Sequence, residues 1–307
     1  MAPSWIETIL SSNDPMTVDI DAALATMLIA VQFPHWAGLA ITPVEPGGND
    51  NRTFRLGTQM SLRLPSAEGY SSQVEREQRW LPVLAPLLPL AVPIPVAKGR
   101  PGAGYPWSWT VNRWLEGEVA STGRIDDLNE FATSLAHFLT SLRQIDPAGG
   151  PPPGPGNFFR GGPLETYDGE TRSAIASLKD RNLAEQATAV WDGALSANWL
   201  GSPVWFHGEM SETNLLVRDG QLSAVIDFGC AGVGDPACDV TIAWTMFAGE
   251  SRRAFRTAVG VDDATWQRGR GWALWKGLIT LVAHADTNPG EAAKAARVVA
   301  AVLADHE

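Results

Sequence analysis

The chain has little cysteine, few basic residues and no long apolar run, and each shortage excludes a class of protein. Only Cys230 and Cys238 are cysteines among its 307 residues. They are too few for a disulfide framework and have no further ligands at zinc spacing, so we expect small buried thiols. No apolar stretch approaches the roughly 20 residues that cross a bilayer, so we expect no membrane span.

Basic residues are outnumbered by acidic ones. The chain has 23 Lys and Arg against 34 Asp and Glu, a net charge of −11. This balance argues against a nucleic acid or an anionic membrane as partner. Residues 1–15 lack the basic start and apolar stretch of a signal peptide, so we expect a soluble cytoplasmic protein. Residues 113–307 hold 25 of the acids and 16 of the bases. That excess would attract a cationic small molecule, although it serves solubility equally well.

The most informative stretch is residues 204–229, which has the pattern of a strand, a loop and a hairpin. Two β-prone segments flank Asp219-Gly220, a strong two-residue hairpin signal. Because a hairpin returns the chain to its starting point, we expect Asn214 and Asp227 at its two ends to lie side by side. An amide oxygen and a carboxylate suit a hard cation such as Mg²⁺. Glu209 is close enough in sequence to face the same space.

This spacing resembles the catalytic core of the kinase superfamily, in which an acid precedes an Asn by five residues and Asp-Phe-Gly follows a hairpin. The His207-Gly208 that precedes the acid resembles the small-molecule branch, the aminoglycoside phosphotransferases. The resemblance implies that Asn214 and Asp227 hold Mg²⁺ under the phosphates of ATP or GTP. It also implies that Glu209 orients a hydroxyl of a small-molecule acceptor and takes its proton.

Two further residues have supporting roles in this resemblance. His207 is expected to point into its lobe and to hold the loop by hydrogen bonds rather than to move protons. Asp239 ends a Gly-Asp-Pro-x-x-Asp run that strengthens the resemblance, and it is expected to brace the same loop. Within this run, Asp235-Pro236 is also a strong helix start, with a capping residue before a proline.

Glu209 departs from the family, in which Asp is usual at this position. The extra methylene moves the carboxylate by roughly a bond length, and a displacement on the order of 1 Å can lower a rate substantially. Since the metal-binding pair is intact, nucleotide binding is expected even where turnover is reduced. The alternative from another class is a non-catalytic kinase-like protein that binds a nucleotide or another ligand.

A turn-rich loop lies between predicted strands in the first hundred residues. Strands are predicted over Leu39–Val44, Thr53–Leu56 and Met60–Leu64, and the loop is Glu45–Arg52. Kinases cover the ATP phosphates with this arrangement, since backbone amides approach phosphate oxygens closely where side chains are absent. The predicted phosphate-binding residues are Gly47, Gly48, Asn49, Asp50 and Asn51.

Arg63 lies on the strand that follows this loop, and the next helix carries Glu75 and Glu77. Kinases place a Lys on this strand and pair it with a Glu of the helix, so that the cation binds the α- and β-phosphates. The resemblance therefore predicts Arg63 as the cation and Glu77 as its partner, with Glu75 as the alternative register. A guanidinium is bulkier than an ammonium and forks its donors, so it would clamp phosphate and carboxylate with a different geometry.

Helical spacing predicts most of the remaining elements. Asp19–Val31 is predicted to be a helix with Ala23, Met27, Leu28 and Val31 on one face, and Asp126–Ile145 is the clearest helix. Three helices are predicted after residue 249, broken near 261–263 and 288–289.

The segment Asp146–Pro163 is dense in proline and glycine and has two interpretations. It is either a flexible linker or an ordered loop near the active cleft. Phe158, Phe159 and Arg160 are unlike a solvated linker and favour the ordered loop.

The resemblance also implies that the C-terminal helices line the acceptor site. Candidates for binding ammonium groups are Glu250, Asp262, Asp263 and Asp286, and the ordinary interpretation of each is a solvated charge at a helix end. An aminoglycoside-like antibiotic is the expected acceptor, with a macrolide, another antibiotic or a metabolic alcohol as alternatives.

The resemblance predicts an α+β, bilobal protein-kinase-like fold. Residues 1–112 would form a small β-rich nucleotide-binding lobe, and residues 113–307 a larger, mainly helical catalytic and substrate-binding lobe. The hinge is expected at Asn112–Gly117.

Overall fold

A computed structural model describes residues 18–45, 47, 48 and 50–305 of the chain. The chain divides into two compact units. The first contains the residues up to Glu116 together with Val225–Gly229, and the second contains Gly117–Ala224 and Cys230–Glu307. The short excursion at 225–229 carries the Asp-Phe-Gly segment into the first unit.

The first unit is built on a five-stranded antiparallel sheet with the strand order β1-β2-β3-β5-β4. Arg63 faces Thr53 on one neighbouring strand and Thr110 on the other. It therefore lies on the central strand of the sheet. The strands are β1 (Ile41–Pro43), β2 (Asn51–Leu56), β3 (Met60–Pro65), β4 (Pro95–Gly99) and β5 (Trp109–Arg113).

Two helices accompany this sheet, α1 (Ala22–Gln32) and α2 (Glu68–Leu84). Asp21 caps α1 by accepting a hydrogen bond of 2.8 Å from the backbone N–H of Leu24. The face of α1 that packs on the sheet consists of Leu24, Ala25, Leu28 and Ile29.

The predicted buried face of α1 was wrong, because the observed face is shifted by about one residue along the helix. Met27 and Val31 were expected to be buried, but they are 50% and 76% exposed. Leu28 alone is common to the predicted and observed faces. The helix is apolar almost all round, so its periodicity does not define which side meets the sheet.

The second unit contains two small strand groups. β6 (Glu118–Val119), β8 (Leu215–Arg218) and β9 (Gln221–Val225) form a three-stranded sheet, and β7 (Val204–Phe206) pairs antiparallel with β10 (Gly232–Gly234). Asp219 and Gly220 both have positive φ angles, 51° and 74°. A type I′ hairpin requires this conformation at both central positions, so the predicted two-residue turn is confirmed.

Helices make up most of the second unit. The three predicted C-terminal helices are α7 (Gly249–Val259), α8 (Asp263–His284) and α9 (Pro289–Leu303), and they are separated near the predicted breaks. Trp266, Trp272 and Trp275 of α8 are all buried. The helices are α3 (Leu128–Gln144), α4 (Asp168–Ala176), α5 (Arg181–Ser196), α6 (Ile242–Thr245), α7 (Gly249–Val259), α8 (Asp263–His284) and α9 (Pro289–Leu303), with a six-residue 3₁₀ helix at Pro236–Thr241.

The proline- and glycine-rich segment 146–163 is an ordered loop rather than a linker. The N–H of Val233 donates to the carbonyl of Pro151 at 2.8 Å, and the N–H of Asp235 to that of Gly161 at 2.9 Å. The indole of Trp205 donates to the carbonyl of Asp146 at 3.0 Å. These bonds attach the loop to β7, to β10 and to Asp235, which directly follows β10.

Within residues 18–305, apart from the gaps at 46 and 49, no helix combines the length and apolar character of a membrane span.

Gly161 supports a first prediction, because its φ is +72° and an added Cβ would lie 2.1 Å from the ring of Phe206. We expect Gly161→Ala to lower the free energy of unfolding by about 2–4 kcal/mol, from overpacking and from the left-handed backbone. Urea denaturation followed by tryptophan fluorescence measures this loss. Gly123→Ala is the matched control, since nothing lies within 4 Å of its Cβ position. Equal denaturation midpoints for the two variants would contradict the prediction.

The burial of Tyr105 and Tyr167 predicts how the stability of the protein changes at alkaline pH. Burial raises the pKa of Tyr167 to about 12 and raises that of Tyr105 further. Because the unfolded chain ionises these groups near pH 10, stability is complete below that pH and falls as pH rises towards 12. We expect the tyrosinate absorbance of Tyr105 and Tyr167 to appear only well above pH 10 in the native protein, as measured by an alkaline absorbance titration. Ionisation of all three tyrosines near pH 10 without unfolding would contradict this assignment.

Candidate active site

In the first unit, Arg63 links the central strand to helix α2 and to the Asp-Phe-Gly segment. Its Nη1 donates to both carboxylate oxygens of Glu77, at 2.9 and 3.0 Å. Its Nη2 donates to Oδ1 of Asp227 at 3.0 Å. Burial by itself would lower the pKa of the guanidinium, but the carboxylates of Glu77 and Asp227 outweigh it and raise that pKa. The structure therefore brings three of the predicted site residues together.

Glu77 has a second partner, because Oε1 also accepts the backbone N–H of Phe228 at 3.0 Å. The neighbouring Arg76 donates to the carbonyl of Gly229 at 2.7 Å. Helix α2 thus fixes Phe228 and Gly229 through their backbones, and Arg63 fixes Asp227 through its side chain. Of the two possible registers, Glu77 is the one that contacts Arg63. Glu75 forms an ion pair with Lys98 instead.

The predicted phosphate loop is described in part. Gly47 and Gly48 lie between β1 and β2, and Asn49 lies outside the described residues. The carbonyl of Asp50 accepts the backbone N–H of Ser66 at 2.8 Å. Asn51 was expected in the loop and is instead the first residue of β2. An added Cβ would meet nothing within 4 Å at Gly47, so one side of the loop is open.

In the second unit, the peptides around Gly208 hold the loop that carries Glu209. Asp239 accepts the backbone N–H groups of His207 and Gly208 at 2.8 and 2.7 Å. The prediction that Asp239 braces this loop is confirmed by these two bonds. His207 is fully buried, and its Nδ1 accepts the N–H of Glu209 at 3.3 Å. It therefore stabilises the loop by hydrogen bonding, as expected.

Glu209 is held through both its backbone and its side chain. The amide Nδ2 of Asn214 donates to the carbonyl of Glu209 at 2.8 Å. The thiol Sγ of Cys230 lies 3.7 Å from Oε2 of Glu209 and is a weak donor to it. Glu209 and Asn214 belong to the second unit, whereas Asp227 groups with the first. Their joint action on one cation stays a prediction.

The chemistry of the donor set fits Mg²⁺. The amide nitrogen of Asn214 donates to the carbonyl of Glu209, so its amide oxygen would be the atom available to a metal, and the predicted partner Asp227 has a carboxylate. Among the described residues there is no group of three or more His, Cys, Asp and Glu side chains suited to a metal ion. Mg²⁺ needs no such cage, because it is usually bound by one or two carboxylates together with phosphates and water.

Four acidic residues of the C-terminal helices were candidates for binding ammonium groups. Two of them, Asp262 and Asp263, are bound as helix-end charges usually are. Asp262 caps α8 by accepting the N–H of Thr265 at 2.6 Å, and that hydrogen bond lowers the pKa of its carboxyl. Asp263 forms an ion pair with Arg256 at 3.0 Å. Glu250 and Asp286 are exposed. The ordinary interpretation therefore accounts for Asp262 and Asp263.

Three arginines with structural roles around the site were missed from the sequence. Arg76 holds Gly229. Arg268 forms a buried ion pair with Asp235, with a 2.6 Å contact between Nε and Oδ2. Arg160 donates from Nε to the carbonyl of Gly208 at 3.0 Å. None of the three stands in a recognisable motif, and only the unusual Arg after two phenylalanines gave a signal for Arg160.

Comparison with known proteins identifies the family. The family model described as the phosphotransferase enzyme family matches residues 41–272, which is more than half of the chain. The chain belongs to this family. Among curated proteins, no sequence matches this member of the family.

Solved structures show the fold of this phosphotransferase family member. The GDP complex of aminoglycoside 2′-phosphotransferase-IIIa is 18% identical, with a TM-score of 0.74 over 93% of this chain and 99% of that one. The gentamicin complex of APH(2″)-IIa is 17% identical, with a TM-score of 0.62 over 93% and 99%. The macrolide 2′-phosphotransferase MphH from Brachybacterium faecium, as apoenzyme, is 24% identical, with a TM-score of 0.57 over 94% and 100%. The predicted α+β, protein-kinase-like fold is confirmed.

Substitution of Glu77 tests whether Glu77 or Glu75 is the partner of Arg63. Glu77→Gln removes a buried carboxylate from Arg63, so we expect it to lower the free energy of unfolding by about 3 kcal/mol. Glu75→Gln is the matched control on the same helix, and its half-exposed ion pair with Lys98 should contribute less than about 0.5 kcal/mol. Denaturant titration of both variants measures the difference. A loss at Glu75 equal to that at Glu77 would contradict the assignment.

Proposed function

We propose that the protein transfers the γ-phosphoryl group of ATP or GTP to a hydroxyl of a small molecule. The observation that carries this proposal is the fixed position of Glu209. Its carbonyl is held by Asn214, its N–H by His207, and the preceding Gly208 by Asp239. A carboxylate on a loop braced in this way is suited to orient a hydroxyl and to accept its proton.

In this reaction the hydroxyl oxygen forms a bond to the γ-phosphorus, and the bond from that phosphorus to the β,γ-bridging oxygen breaks. The proton of the hydroxyl goes to the carboxylate of Glu209, and the nucleoside diphosphate leaves with the bridging oxygen. Such reactions depend on positioning and on charge stabilisation more than on covalent chemistry.

The first unit would hold the nucleotide. Arg63, fixed by Glu77, would bind the α- and β-phosphates with the N–H groups that its carboxylate partners leave available. Gly47, Gly48, Asn49, Asp50 and Asn51 would cover the phosphates. Asn214 and Asp227 would supply the oxygen ligands of Mg²⁺, which when bound neutralises charge on the phosphates.

The acceptor we propose is an antibiotic hydroxyl, either that of an aminoglycoside-like cation or that of a macrolide. Both are named for relatives of the same fold, and the excess of acids in residues 113–307 is compatible with a cationic acceptor. The likeness at these identities concerns the fold, so the choice between acceptors belongs to a binding assay.

The decisive variant is Glu209→Gln. It removes the proton acceptor and keeps the size of the side chain, so we expect transfer to fall by about 10²- to 10⁴-fold. Nucleotide binding should remain, because the residues proposed for it are unchanged. The measurement pairs a turnover assay, over a panel of antibiotics and small alcohols, with the thermal-unfolding shift given by Mg-ATP and Mg-GTP.

Two controls accompany this variant. Glu209→Asp keeps the carboxylate and should retain turnover well above that of the glutamine variant. Removing Mg²⁺ with a chelator should abolish the nucleotide-dependent shift of the native protein. Transfer that survives Glu209→Gln would remove Glu209 from the mechanism, and the absence of any nucleotide shift would support the non-catalytic alternative.

A further inference from the structure

Arg160 is a buried cation at the end of the ordered loop 146–163. Its side chain is more than nine-tenths buried, and its guanidinium carbon lies 5.4 and 4.9 Å from the ring centroids of Trp272 and Trp275. Tyr167 packs against the same two indoles at 5.4 and 4.1 Å. The two indoles, with the tyrosine packed on them, form an aromatic cage beside the guanidinium.

The Nε–H of this guanidinium donates to the carbonyl of Gly208 at 3.0 Å. The N–H of the same Gly208 donates to Asp239 at 2.7 Å. Gly208 is thus held on one side by a carboxylate and on the other by a cation. Two constraints require glycine at this position. Its φ is +89°, and an added Cβ would lie 2.6 Å from the carbonyl oxygen of Cys230. The carbonyl that Arg160 holds belongs to the peptide that leads directly into Glu209.

A structural role alone does not explain a charge at this position. Burial by itself would lower the pKa of the Arg160 guanidinium, but its surroundings, Tyr167 first and then Glu209, raise that pKa.

The Nη1 of Arg160 also has no hydrogen-bond partner among the described residues. An unsatisfied buried donor of this kind destabilises a fold. An apolar side chain would fill the aromatic cage without that loss.

We propose that Arg160 is a positioning residue for Glu209, acting through the Gly208 carbonyl that it binds from within the aromatic cage. This rests on the proposed function, in which Glu209 orients the acceptor. The ordered loop 146–163 then has a defined task, which is to deliver one guanidinium to the peptide ahead of the catalytic carboxylate.

The test compares Arg160→Met and Arg160→Lys with the native protein, using Mg-ATP or Mg-GTP and water as the acceptor. The methionine variant fills the cage but cannot bind the carbonyl, so we expect kcat to fall about 10- to 100-fold while the KM for nucleotide changes less than about twofold. The lysine variant keeps a charge and one donor and should recover part of kcat.

Arg270→Met is the matched control, because Arg270 makes the same kind of bond, from its Nε to the carbonyl of Val302 at 2.9 Å. Hydrogen exchange provides a readout that does not depend on turnover. Arg160→Met should speed exchange in the peptide covering residues 205–214, and Arg270→Met should not.

Unchanged kcat in Arg160→Met, or the same exchange in both variants, would overturn the positioning role. A native protein that transfers phosphoryl from neither nucleotide, whether to water or to any acceptor of the panel, would instead contradict the proposed function, and the exchange comparison would still decide the role of Arg160.

Discussion

The carboxylate of Glu77 is the interaction on which the organisation of the first unit depends. It binds both the guanidinium of Arg63 and the backbone N–H of Phe228, so one side chain of α2 joins the central strand to a segment more than 150 residues away. A buried carboxylate is stable only when its charge and its hydrogen-bonding capacity are both satisfied. Arg63 in turn holds Asp227. The conformation of the Asp-Phe-Gly segment is therefore set by the requirement to neutralise a buried acid.

In the second unit, charged side chains likewise bind backbone groups, here those of Gly208. Gly208 is buried and lies outside regular secondary structure, so its peptide groups need hydrogen-bond partners within the protein. Here Asp239 takes the N–H, and Arg160 takes the carbonyl. Because both partners are themselves buried, a displacement of the loop would leave two buried charged groups without these hydrogen bonds. This couples the proline- and glycine-rich loop, the tryptophans of α8 and the position of Glu209 into one arrangement.

Much of this architecture follows from local sequence signals, and the remainder does not. The Asp219-Gly220 hairpin and the breaks between the last three helices depend on short-range turn and capping chemistry, which is why they were predictable. The buried face of α1 was misplaced because Met27 and Val31 are as apolar as the residues that face the sheet. The roles of Arg76 and Arg160 depend on contacts with residues far away in sequence, and no local pattern encodes them. Whether Asn214 and Asp227 share a cation stays a prediction from the motif.

The resemblance to kinases predicts Asp at position 209, and the glutamate found there has a side-chain contact of its own. A glutamate extends its carboxylate by one carbon–carbon bond, about 1.5 Å. That extension brings Oε2 to 3.7 Å from the thiol of Cys230, while the backbone of Glu209 remains bound to Asn214. An aspartate held by the same backbone bond would withdraw from the thiol. Glu209 therefore has a partner at each end, the amide of Asn214 at its backbone carbonyl and a weak thiol donor at its carboxylate.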